Sequence, residues 1–236
     1  MSERTRPTPQ RRADLPAHWM SRPAPGPDPE TASAFDRLLD QAVKEGPARP
    51  IDYRLPAPKW QFLCHAADRR GFVLHGTGDP GITCFEPRRP ADPSEFGGRR
   101  AVFAAMDGIW PMYFAVIDRA GHAMTLVTAC IRLNEDRDGP YYFFSITRSA
   151  LERRPWREGT VYLLSADGFE PQPRIAFGET EVRIAQAANP DPVAPVAKLT
   201  VRPTDFPFLH QIRGHDDQLM KARAMAGDVF PWREDD

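Results

Sequence analysis

The chain has 236 residues, 41% of them hydrophobic, with 31 Lys and Arg against 32 Asp and Glu. That is enough apolar material for one large domain or two small ones, and the near-zero net charge argues against nucleic-acid binding through a bulk basic field, leaving only a local patch. No apolar run of about 18 residues and no charged start leading into an apolar stretch occur, so neither a membrane span nor a secretory signal is expected.

Residues 1–30 carry Arg4, Arg6, Arg11 and Arg12 and then "RPAPGPDPE". So little apolar surface cannot offset the entropy of ordering the segment, and a disordered Pro/Arg-rich arm is expected, with Trp19 as a pin to the body. Residues 31–45 place Phe35, Leu38, Leu39, Ala42 and Val43 at helical spacing, with Thr31 as cap and Gly46-Pro47 as stop. A second helix is predicted at 58–70, where Pro58 suits the first turn and Trp60, Leu63, Cys64 and Ala67 share a face.

From residue 72 the pattern changes to short β-rich runs at 72–75, 101–105, 124–133, 141–147, 160–164 and 196–202, with a weaker one at 181–184. The segment 107–119 reads equally as helix, opened by Pro111, or as strand. The tail from Asp205 reads as helix in two pieces broken near Gly214, with Asp205 as its cap. Helices in front, strands in the middle and a helix at the end predict an α+β fold. The sheet is expected to be a mixed or antiparallel split sheet of about six to seven short strands. One domain over 31–236 is expected: a helical lead-in at 31–70, a sheet core at 71–202 and a helical tail at 203–236.

Cys64, Cys84 and Cys130 lack CxxC spacing and are odd in number, which reads as reduced thiols in a cytoplasmic protein. His210, His215, Asp216 and Asp217 have no spacing that dictates a metal site, and none is assigned. Cys64 and His65 point in different directions on a helix, which argues against a Cys/His catalytic pair.

The chemistry centres on "FVLHGT", residues 72–77. A strand ending on His75 has two readings. The imidazole is satisfied by a backbone group, or it joins Thr77 in holding a ribose diol or an amide. Gly76 permits close approach of another backbone or of a flat ligand. The second stretch, "FGGRRAVFAAMDGIWPMYFAV" at 96–116, has Phe103 in a short strand and Tyr113 in an aromatic cluster.

Together "LHGT" and "FGGRRAVFAAMD…PMYFAV" resemble the ADP-ribosyltransferase superfamily, in its poly(ADP-ribose) polymerase-like branch. The resemblance covers residues 72–116 by motif and extends to about 202 by strand pattern. It implies NAD as co-substrate. His75 and Thr77 are then expected to orient the nicotinamide-side ribose, the Gly76 backbone to hold the carboxamide, and Phe103 and Tyr113 to sandwich nicotinamide. Phe103 stands where the family has a tyrosine, keeping the π-face without the hydroxyl.

The resemblance also calls for a glutamate at the start of a late strand, where negative charge stabilises an oxocarbenium-like transition state. Glu181, followed by Val182-Arg183-Ile184, is the first choice, with Glu179 two residues earlier on the same strand face and Glu158 as a rival. The acceptor of ADP-ribose is open: protein, nucleic acid or small molecule. The competing expectation is a non-catalytic nucleotide-binding or protein-interaction module on a degenerate form of that fold.

Overall fold

A computed structural model describes residues 15–90, 95–133, 139–177, 180–228 and 230–234. The strands are β1 (Met20–Ser21), β2 (Phe72–Thr77), β3 (Val102–Ala105), β4 (Leu126–Leu133), β5 (Tyr141–Thr147), β6 (Gly159–Ser165), β7 (Glu170–Pro171), β8 (Ile175–Phe177), β9 (Thr180–Ile184), β10 (Gln186–Asn189), β11 (Ala197–Val201) and β12 (Arg213–His215). The helices are α1 (Pro29–Glu45), α2 (Lys59–Arg70), α3 (Trp110–Val116), α4 (Arg148–Glu152) and α5 (Asp217–Met225). This is an α+β fold, with more strands than the six or seven expected because β1, β7, β8, β10 and β12 are two to four residues long. Segments so short carry almost no alternation to read.

The strands form two sheets. One has the order β1-β5-β4-β9-β8, with β12 also on β5; the other has the order β11-β6-β2-β3-β10-β7. All pairings are antiparallel except β12 on β5. A single apolar cluster joins them, running from Phe35 and Leu39 of α1 through Phe62 and Leu63 of α2 to Phe144 of β5, Leu163 of β6 and Ile212.

Helix α3 settles the ambiguous stretch 107–119 and lies between the two sheets. On one side the Tyr113 hydroxyl donates to the Ser145 carbonyl of β5 at 2.8 Å. On the other the helix sits directly on β2 and β6. A Cβ on Gly76 would stand 1.7 Å from the Pro111 carbonyl oxygen, and one on Gly159 would stand 2.0 Å from that of Ala115. Both strands need glycine there so that the helix backbone can close on the sheet.

Two boundaries differ from expectation for local reasons. Helix α1 begins at Pro29 because the Asp28 carboxylate accepts from the Thr31 N–H at 2.7 Å, which makes Asp28 the cap and puts Thr31 inside the helix. In the tail, Asp205 accepts from the Arg202 N–H and from Lys59, both at 2.8 Å, and caps no long helix. The cap of α5 is Asp216, which accepts from the N–H groups of Gln218 and Leu219. The region between holds two 3₁₀ turns and β12, not helix.

The expected arm over residues 1–30 is corrected from Leu15 onward. Trp19 does pin it, and β1 pairs with β5 through Met20 to Tyr142 and Ser21 to Tyr141. Trp19 and His18 meet Phe143, Phe230 and Trp232, with the His18 and Trp232 ring centres 4.4 Å apart. The earlier residues, 1–14, lie outside the described ones.

Candidate functional site

His75 lies near the end of β2. Register sets it opposite Tyr162 of β6, as Val73 is set opposite Leu164. Strand alternation therefore sends Val73, His75 and Thr77 to one face of the sheet, and Leu74 and Gly76 to the other. The clusters agree. Val73, Tyr162 and Leu164 pack with Phe85, and the His75 ring lies 4.7 Å from the Phe85 ring. Leu74 belongs to the main core, on the side of α3.

The His75 Nδ1 lies 2.8 Å from the Phe103 carbonyl oxygen. A carbonyl only accepts, so Nδ1 carries the proton. The β2–β3 ladder has one register pair, Leu74 with Ala105, and the imidazole adds a second tie between these strands two residues further along β3. Burial pushes the His75 pKa below its ordinary value; its bond to Phe103 opposes that, and the Arg88 charge adds to it. Of the two readings of this histidine, the backbone-satisfied one describes its contacts. Gly76 admits the backbone of α3, and the Thr77 hydroxyl accepts from the Asp79 N–H at 3.2 Å.

The other expected residues do not join His75 around one cleft. Phe103 shares its face of β3 with Ala105, which pairs with Leu74, so its ring leaves the sheet on the side opposite the His75 ring. It packs edge-on against Phe96 at 6.1 Å. Tyr113 is wholly buried, its ring against Phe114, Phe144 and Phe206, and burial holds its phenol well above the ordinary value. No ring contact joins Phe103 to Tyr113 among the described residues. Glu181 belongs to the other sheet, on β9, where it is paired with Arg174 at 2.5 Å and half-exposed. Glu179 lies outside the described residues. Glu158 accepts from Arg202 Nε at 2.9 Å. As a set, the described side chains do not converge on one cleft.

A second constellation was not singled out from the sequence. Asp107, fully buried, accepts from the N–H groups of Ile109 and Trp110 at 2.8 and 2.9 Å and so caps the start of α3. Its other oxygen accepts from the Tyr142 hydroxyl at 2.7 Å and from Arg22 at 2.6 Å. Arg22 also pairs with Asp68 of α2, and Asp68 accepts from Arg132 of β4 at 3.3 Å. Burial first, and then the Asp107 charge, hold the thiols of Cys64 and Cys130 well above the ordinary range, so both beside this cluster are protonated.

The network borders a groove of about 220 Å³ where the ends of the two sheets meet. Its apolar lining comes from Ala67, Phe72, Val73, Met106, Ala166 and Ala185, and its charged lining is Asp68, Arg132 and Arg183. Arg132 and Arg183 are register partners across β4 and β9. Alternation puts Arg132 on the face of β4 that carries the buried Cys130 and Thr128, the face turned to the core. A charged residue at a core-facing position, "TACIR", is a legible signal. Arg22 had none, since it sits in a proline-rich stretch.

A serine, histidine and carboxylate also line up. Ser145 Oγ is 2.7 Å from His215 Nδ1, and His215 Nε2 is 2.8 Å from the Thr125 hydroxyl and 3.4 Å from Asp217. Ser145 and His215 have no exposed surface. No substrate reaches that hydroxyl, so the chain ties β12 and α5 to β4 and β5.

No family model, no curated protein and no solved structure matches this chain. Among the described residues, no helix is long and apolar enough to cross a membrane, and no group of His, Cys, Asp and Glu is arranged to hold a metal ion.

Proposed function

We propose that the protein is a non-catalytic small-ligand-binding module whose site is the groove at the sheet junction. One observation carries this reading: Arg132 and Arg183 oppose each other over an apolar floor there. The groups an NAD-consuming transferase needs instead leave the second sheet on both of its faces. Catalysis by charge stabilisation requires a carboxylate held at the reacting centre, and Glu181 sits paired with Arg174 on the other sheet.

The transferase reading, with NAD as co-substrate and an open acceptor, is the second proposal. Its support is the motif resemblance, together with the 2.8 Å contact that joins the "LHGT" strand to the "AVFAA" strand. The two readings separate on nicotinamide release from NAD by wild type, Glu181→Ala and His75→Ala. The binding-module reading expects release no faster than the protein-free control in all three. Release by wild type that Glu181→Ala abolishes would establish the transferase instead.

A further inference from the structure

We infer that the groove between α2, β2 and the β4–β9 pair binds an uncharged, single-ring heterocycle through a cis-amide edge, a C=O beside an N–H. This rests on the binding-module reading and names its ligand class. The groups that read the edge are Arg132 of β4 and Asp68 of α2, which meet at 3.3 Å and both line the groove.

Arg132 is four-fifths buried, and its side-chain hydrogen bonding among the described residues is that one long contact. A guanidinium has five N–H donors, and the lining around it, Ala67, Phe72, Val73, Ala166 and Ala185, offers no side-chain acceptor. Asp68 is largely buried too. One of its oxygens accepts from Arg22 and the other from Arg132. A carboxylate has about four lone-pair sites, so each oxygen keeps room for a second donor. Spare donors and spare acceptors therefore stand side by side, which is the complement of a cis-amide edge. The ligand carbonyl accepts from Arg132 and the ligand N–H donates to Asp68, and both bonds are charge-assisted.

The charge at the site decides against an ionic ligand. Arg22 and Arg132 face Asp68 and Asp107, two charges of each sign. Arg183, opposite Arg132 on β9, has a partner of its own within the chain. An ion added here would be taken out of water without a counter-charge, which is costly. The apolar floor of Val73, Met106, Ala166 and Ala185 receives the faces of the ring. At about 220 Å³ the groove is smaller than the roughly 300 Å³ at which drug-sized pockets begin. The ligand is therefore a single ring or its equivalent.

The test is calorimetry on the full chain with α-pyridone, N-methyl-α-pyridone and benzoate. The first presents the cis-amide edge, the second keeps the ring and carbonyl but lacks the N–H, and the third is an anion of similar size. We expect saturable one-site binding of α-pyridone, and binding about tenfold weaker for each of the other two. Arg132→Met should weaken α-pyridone about tenfold. Asp68→Asn should weaken α-pyridone several-fold and the methyl derivative hardly at all, so that the gap between the two narrows; damage to the fold would weaken both alike. His75→Gln should leave α-pyridone binding unchanged. Circular dichroism confirms that each variant is folded, and the three ligands on wild type decide the matter where a variant is not. Absence of saturable α-pyridone binding, the methyl derivative or benzoate bound as tightly, equal affinity in a folded Arg132→Met protein, or an unchanged gap in a folded Asp68→Asn protein would overturn the inference. Nicotinamide release from NAD would overturn the module reading alone, since it does not depend on Arg132 or Asp68.

Discussion

Two regions of this molecule carry polar side chains among apolar ones, and they differ in what those side chains have left to offer. In the "FVLHGT" strand each polar side chain has a partner within the chain. His75 reaches the Phe103 carbonyl, Thr77 holds the following turn, and Gly76 admits the backbone of α3. At the sheet junction Arg132 faces the core, is four-fifths buried and meets one carboxylate at 3.3 Å. The first pattern is what a fold does with polar groups it must bury. The second leaves donors over a groove, which is what a ligand site needs.

The sharpest way to break the comparison is Gly76→Ala. A methyl group 1.7 Å from the Pro111 oxygen cannot be absorbed by side-chain motion, because the obstacle is backbone. Loss of about 3 kcal/mol or more, or failure to fold, is expected in a denaturant titration. A stable Gly76→Ala protein would reopen Gly76 as a ligand-facing position.

Asp107→Ala comes next. It removes the cap of α3, takes from the largely buried Arg22 one of its two carboxylates, and leaves the buried Tyr142 hydroxyl without its acceptor. A loss of about 3 kcal/mol is expected from chemical unfolding, in the range for a broken buried pair.

His75→Phe should cost about 1–2 kcal/mol, the penalty for a carbonyl left without its donor. It should not change α-pyridone affinity.

The pH response follows from the same burial. His75 and His18 have folded-state pKa values below the ordinary 6.5, chiefly because burial disfavours their charged forms. The unfolded chain then takes up protons first. Their contribution is complete above pH 6.5 and is lost as the pH falls below it. The melting temperature should decline from pH 7 towards pH 5, less steeply in His18→Phe; an identical slope in that variant would remove His18 from the account.

Glu181→Ala is the smallest effect. A half-exposed pair with Arg174 is worth about 0.5 kcal/mol or less in thermal unfolding. A large loss would mean that Glu181 supports more than that pair.

Much of this architecture was legible. The apolar spacing of Phe35, Leu39 and Ala42 marks α1, and "YYFFSIT" marks β5 residue for residue. Two kinds of information were not local. Side-chain direction at His75, Phe103 and Tyr113 depends on strand register and on where α3 docks, and two motifs close in sequence emerge on opposite faces of one sheet. The partners of Arg22 lie 46 and 85 residues away, in α2 and just before α3, beyond the reach of any local pattern. The Asp107 cap and the core-facing Arg132 were within reach. Asp107 stands before a helix with Pro111 in its first turn, and Arg132 follows Thr128 and Cys130 at strand period.

The most direct test is nuclear magnetic resonance on the ¹⁵N-labelled full chain, titrated in parallel with α-pyridone and with NAD. The account predicts that α-pyridone shifts the amides of Phe72, Met106, Arg132, Ala166 and Ala185, and that NAD leaves those of Gly76, Thr77 and Phe103 in place. Saturable NAD shifts centred on His75, Gly76 and Phe103, with the groove amides silent to α-pyridone, would contradict it.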